Sequence, residues 1–136
     1  MKLIVCLDNR NGMLFAGRRQ SSDRKLRQRI LEITAGCRLW MNSYSAKQFG
    51  EAGENILVSE GFMADAAAED CCFAENTDIR PFVDRIDTVI LYRWNRDYPA
   101  DVRFPVELFA DRWRLAESCE FAGYSHDTIT EEIYML

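Results

Sequence analysis

The sequence predicts a single α/β domain: a central mixed, mostly parallel sheet of about seven strands flanked by helices, with an antiparallel C-terminal edge. Three observations carry this. Short β-rich runs alternate with stretches of helical spacing and no internal sequence repeat, an alternation that calls for parallel crossovers. Thr88 to Trp94 is a long strand of β-branched and aromatic residues bounded by Asp87 and Asn95. Beyond it, Pro99 and Pro105 cannot donate to a ladder, so the chain leaves the sheet before another strand begins near Arg112.

Composition bounds the rest. A chain of 136 residues with 48% apolar content and three prolines is one domain with a real core, not a disordered segment. Its longest apolar runs fall far short of the roughly 18 to 20 residues of a membrane span. Asp8 comes too early for a signal peptide, so the expectation is a cytoplasmic protein without a membrane partner. The five cysteines, Cys6, Cys37, Cys71, Cys72 and Cys119, are odd in number and lack C-x-x-C spacing; buried thiols are expected rather than disulfides or zinc. Residues 1–29 carry a balance of +6 and the remainder −11, for a net charge of −5. An acidic protein argues against nucleic acid as a partner, and the basic stretch reads as a solvated helix face.

In chain order, Lys2 to Leu7 is a buried strand ending in a turn where Asn11 and Gly12 accept positive φ. Ser21 or Ser22 can cap a helix with Leu26, Ile30 and Ile33 on its apolar face, ended by Gly36. A strand over Cys37 to Met41 follows. Asn42, Ser43, Tyr44 and Ser45 then cap a short helix reaching Phe49, whose amides suit a phosphate as well as they suit ordinary capping. Gly50 to Glu54 is loop, Asn55 to Ser59 a strand, and residues 61–70 at most a short helix. Cys71 to Ala74 is a small buried strand. Asn76 and Thr77 cap a helix that carries Ile79, Phe82, Val83 and Ile86, with Pro81 in its first turn. The antiparallel tail from Trp113 to the C-terminus completes the sheet at one edge.

Several of these pieces together resemble dihydrofolate reductase. They are Leu3-Ile4-Val5 with Gly12, Leu39-Trp40-Met41 before a helix start, Asn55 to Ser59, and Thr88 to Trp94 leading through Asp101, Phe104 and Pro105 to Trp113. The resemblance covers residues 1–60 and 71–136 and implies a three-layer reductase-like fold. A peripheral strand and helix are missing near residues 61–70. Deleting an edge unit is tolerable, whereas deleting a central strand orphans two ladders, so Cys71 to Ala74 is expected beside the first strand.

The family's functional positions are largely replaced. Its Gly-Gly pair, where backbone approaches the cofactor pyrophosphate, reads Glu75 and Asn76. Its substrate-holding carboxylate aligns with Leu26, leaving Asp23 as the only catalytic candidate, although a first-turn acid has a plain structural role. Its threonine aligns with Tyr92, its folate-clamping arginine near Gly53, its phosphate-holding arginine with Ser43, and Glu60 falls near the place of the 2′-phosphate. Glu60 opposes NADPH by Coulomb repulsion while remaining able to accept a ribose hydroxyl of NADH.

A surviving site is expected at the C-terminal ends of the first and central strands. Asn42, Ser43, Ser45, Ser59, Asn76 and Thr77 would line its cofactor side, and Cys6, Leu7, Arg27 and Tyr92 its substrate side, with an anionic small molecule or nucleotide as occupant. Metal chemistry is set aside, because His126 is the only histidine and neighbours such as Cys71 and Cys72 point to opposite faces of a strand. Ser125 and His126 diverge in the same way, which places His126 at an edge. The expected function is a binding or interaction module without dihydrofolate reductase activity; the alternative is an NAD(P)H-dependent reductase of a pterin-like heterocycle.

Overall fold

The computed structural model describes residues 1–50 and 53–136; the middle of the expected loop, residues 51–52, lies outside them. Seven strands form the main sheet in the order β5-β4-β6-β1-β7-β10-β9. They are β1 (Lys2–Leu7), β4 (Leu39–Met41), β5 (Ile56–Val58), β6 (Cys71–Phe73), β7 (Thr88–Arg93), β9 (Arg114–Phe121) and β10 (Ile129–Met135). From β5 to β7 every pairing is parallel, and β10 and β9 add on antiparallel. Lys2 pairs with Cys71 on one side and Thr88 on the other, so Cys71 to Phe73 is the neighbour of the first strand.

Side-chain alternation along β1 divides the interior into two cores. Leu3, Val5 and Leu7 join Cys72, Val89 and Leu91 on one face, covered by Phe62 and Met63 of α3 (Phe62–Asp65) and by Ile79 and Ile86. Ile4 joins Cys71, Phe73, Ile90 and Tyr92 on the other, covered by Leu26 and Ile30 of α1 (Arg24–Ile33). Burying those two α1 side chains contributes about 2 kcal/mol each.

Four local expectations change. The α1 cap is Asp23, not Ser21 or Ser22: its φ of −153° and ψ of 133° are extended, and its carboxylate accepts from the Lys25 and Leu26 amides. Asp caps as well as Ser and adds a charge that suits the N-terminal end of the helix dipole. The helix expected after Thr77 is a 3₁₀ segment, Arg80–Arg85, with Ile79 before it and no side-chain cap. Ile79 to Phe82 and Val83 to Ile86 repeat every three residues, which suits the tighter winding. A second, three-stranded sheet also forms, in the order β3-β2-β8, from β2 (Gly12–Phe15), β3 (Arg18–Arg19) and β8 (Val102–Arg103). Finally, Asn11 takes the positive φ of 63° in the first turn, whereas Gly12 opens β2, where a Cβ would lie 2.5 Å from Gln20 Nε2 and 2.7 Å from Ala100 Cβ.

Candidate functional site

The C-terminal ends of β1 and β6 meet α2 (Ser43–Ala46) and the small sheet, and what lies between them is an ion-pair cluster. Glu75 is 8% exposed. Its carboxylate accepts from Arg19 Nε (2.9 Å) and Nη2 (3.1 Å), from Ser45 Oγ (2.8 Å) and from Gln48 Nε2 (3.0 Å). Arg19 comes from β3, lies 4.3 Å over the Tyr44 ring and donates to the Tyr44 carbonyl. Burial works against the Arg19 charge, but the Glu75 carboxylate more than offsets it and holds the guanidinium's pKa above its usual value. Burial, followed by the Glu75 charge, pushes the neighbouring Cys6 thiol well up.

Glu75 therefore does not stand as an unpaired charge at the rim of a crevice. It fills the crevice, bridging β3 to α2. The space left between Cys6, Arg19, Ser21 and Glu75 is a void of about 10 Å³, room for about one water molecule. A nicotinamide ring does not fit there.

The other residues expected at the site divide into two groups. Asn42 and Ser45 gather around the cluster: Asn42 caps α2 through the Ser45 amide and donates to Asn76 Oδ1 at 2.7 Å. Leu7, Ser43, Ser59, Arg27 and Tyr92 serve elsewhere. Leu7 belongs to the opposite core. The Ser43 amide, expected to be free for a phosphate, donates to Glu60 Oε2 at 3.0 Å, and Ser59 Oγ donates to Asp65 at 2.6 Å. Arg27 is half-buried on α1 and forms no ion pair among the described residues. Tyr92 is fully buried, its hydroxyl 2.8 Å from Glu131 Oε2. Glu131 also receives Arg29 through Nε (2.7 Å) and Nη2 (2.9 Å). Burial raises the Tyr92 pKa far above its ordinary value and the Glu131 charge adds to the rise.

Asp23 is a structural hub. Beyond its two helix amides it accepts from the Tyr124 and Ser125 amides at 3.0 and 2.9 Å and from His126 Nδ1 at 2.9 Å. Burial disfavours its charge, yet these donors outweigh burial and keep its pKa well below the usual carboxylate range. His126 is not at an edge: it is 4% exposed in the turn before β10, stacked on Trp94 with ring centroids 4.6 Å apart. With Nδ1–H donating to Asp23, Nε2 accepts from the hydroxyls of Ser21 (2.9 Å) and Tyr98 (3.1 Å). Gly123 lets this turn close, since a Cβ there would stand 2.6 Å from the His126 carbonyl. Only the short polar residues of 21–23 and 125–126 hinted at the contact, and nothing in their spacing pairs them across the fold.

Open space lies outside the plugged crevice, the most voluminous of it, about 510 Å³, a shallow depression between α1 and β9. A groove of about 210 Å³ runs between the 3₁₀ segment and the small sheet, with Asn76 and Thr77 at its head. Met13, Ile79, Val102 and Pro105 give it apolar walls; Arg80 and Arg103 line it, and Asp78 and one side of Glu75 add two acids. A shallower depression of about 350 Å³ continues from it past the same two arginines and Pro105. Among the described residues neither Arg80 nor Arg103 makes an ion pair.

No family model matches the sequence and no curated protein matches it. Among solved structures, the chain is similar to dihydrofolate reductase from Enterococcus faecalis complexed with NADP(H) and RAB-propyl. The TM-score is 0.69 at 12% identity, over 98% of this chain and 94% of that one. The chain has the dihydrofolate reductase-like fold.

Proposed function

We propose that this protein is a binding module on the reductase-like fold, taking a nucleotide or similar anionic small molecule without hydride transfer. The observation that carries the reading is the Arg19–Glu75 cluster, which occupies the crevice and leaves about 10 Å³ beside it while a groove of about 210 Å³ stays open outside. Hydride transfer depends on positioning a nicotinamide, and a filled crevice removes that position. The groove pairs apolar walls with two guanidiniums, the combination that suits a flat base carrying phosphates.

Calorimetric titration of ADP and NADPH tests this. If the groove grips phosphates and the nicotinamide has no seat, the two bind within about threefold of each other, and Arg80→Glu with Arg103→Glu weakens both by roughly tenfold or more. NADPH stays unoxidised with dihydrofolate present. NADPH binding far more tightly than ADP, together with pterin-dependent oxidation, would establish the competing reading, an NAD(P)H-dependent reductase.

A further inference from the structure

Cys37 and Cys71 bring their sulfurs to 2.9 Å, closer than the 3.5 Å between Cys72 Sγ and Met1 Sδ in the core on the opposite face of the sheet. Both are held by backbone. Cys71 opens β6, and its amide donates to the carbonyl of Arg38, just before the neighbouring strand β4, at 2.9 Å. Cys37 sits in the turn after α1, its amide bonded to the Thr34 carbonyl at 3.0 Å. Asn55 Nδ2 fastens that turn from outside, donating to the carbonyls of Thr34 (2.9 Å) and Cys37 (3.0 Å). The two sulfurs thus meet across adjacent parallel segments, about 4.8 Å apart in a sheet, without long flexible arms. Cys71 is 2% exposed, whereas Cys37 is half-buried and reachable by a small oxidant.

We propose that Cys37 and Cys71 form a peroxide-responsive dithiol, with Cys37 the sulfur oxidised first and Cys71 the resolving partner. The Cys37 thiolate attacks one oxygen of hydrogen peroxide; the O–O bond breaks, hydroxide leaves and Cys37 becomes a sulfenic acid. The Cys71 sulfur then attacks the Cys37 sulfur. Its proton passes to the departing hydroxyl, water leaves, and a disulfide has formed at the expense of one peroxide reduced to two waters. Burial, then the adjacent Cys37, pushes the Cys71 thiol up, which with its low exposure leaves the half-buried Cys37 as the sulfur that meets the oxidant first. Such transient bridges are the usual form of disulfide in a reducing compartment. The pair lies at the N-terminal end of β6, away from the Glu75 cluster that follows that strand's other end, so this inference does not depend on the groove.

The test treats the full chain with a small excess of hydrogen peroxide, alkylates the remaining thiols, and maps the digest by mass spectrometry. The expected result is a Cys37–Cys71 linked peptide lighter by two hydrogens, a fall from five titratable thiols to three, and full reversal by dithiothreitol. Cys37→Ser abolishes the linkage, and Cys119→Ser, at an exposed thiol, preserves it. Recovery of both thiols separately alkylated, or of Cys37 as sulfinic or sulfonic acid with Cys71 untouched, would overturn the proposal. The wild-type digest decides this even if a core variant at Cys71 fails to fold.

Discussion

Asp23 shows how a residue can look catalytic by position and be structural by contact. A lone acid beside the family's carboxylate position was the sole candidate in the sequence, and the fold spends both its oxygens on the amides and the ring that join α1 to the 122–128 turn. Because those donors hold its folded-state pKa below the unfolded value near 3.9, the stability it contributes is complete above about pH 5 and is lost as the pH falls through the depressed value. Asp8 and Asp70 behave alike: burial opposes their charges, and hydrogen bonds from the Gly12 and Tyr98 amides and from the Ala67 amide and Trp40 prevail. Urea denaturation from pH 7 down to pH 2 is therefore expected to show a plateau followed by a decline. Asp23→Asn keeps one acceptor but loses the charge, and is expected to cost about 2 kcal/mol at pH 7 and to flatten the decline. An undiminished acid transition in that variant would mean that other carboxylates dominate it. The capping role could be read from sequence, since Asp before an apolar-periodic run is a cap signal; the contact with His126, about a hundred residues away, left no local trace.

Among the elements, α1 is tied to the sheet by more than its apolar stripe. Arg29 forks onto Glu131 of β10, which also receives the Tyr92 hydroxyl from β7, so one buried carboxylate links a helix and two strands. Burial raises the Glu131 pKa, but Arg29 and Tyr92 pull it below its usual value. Removing the carboxylate leaves a guanidinium and a phenol unpaired, and Glu131→Ala is expected to cost about 3 kcal/mol, at the low end for a broken buried pair because Arg29 reaches solvent. Tyr92→Phe leaves the ion pair intact and should cost about 1 kcal/mol. Chemical denaturation of both variants checks the ordering; equal losses would mean that the phenol rather than the ion pair carries the link. The sequence yielded these elements because the continuous apolar run of Lys2–Leu7, the β-branched and aromatic run of Thr88–Arg93 and the helical spacing of Leu26, Ile30 and Ile33 are local signals. It missed β2, β3 and β8 because strands of two to four residues owe their existence to one another; Arg18 and Arg19 read as part of a charge run until the fold sets Leu14 against Arg19.

At the scale of the whole molecule, the fold is similar to that of a dihydrofolate reductase complexed with NADP(H), and a tie between the small sheet and α2 occupies the interior of the crevice. The resemblance flags Glu75 and Asn76, where it implies two glycines, but not that Arg19, Ser45 and Gln48 would close around Glu75, because Arg19 comes from β3 while Ser45 and Gln48 come from α2 and the turn after it. If Glu75 is what keeps a nicotinamide out, Glu75→Gly with Asn76→Gly should do three things together. It removes the acceptor of four hydrogen bonds and adds two flexible residues, so the variant should melt lower by roughly 5–10 °C. It releases the Arg19 guanidinium, already a quarter exposed, to face an incoming phosphate. It also enlarges the 10 Å³ void by the volume of a glutamate side chain and allows the close backbone approach that a pyrophosphate needs. Thermal unfolding with each ligand at about 1 mM reads the outcome, since a ligand at a hundred times its Kd stabilises the folded state by about 2.7 kcal/mol. For the wild type, ADP and NADPH should raise the melting temperature equally. In the double variant NADPH should exceed ADP by several degrees. A double variant in which NADPH still gains nothing over ADP would mean that the crevice is not a closed cofactor site at all, and the Arg19–Glu75 tie would then stand as a brace for a surface used by a protein partner.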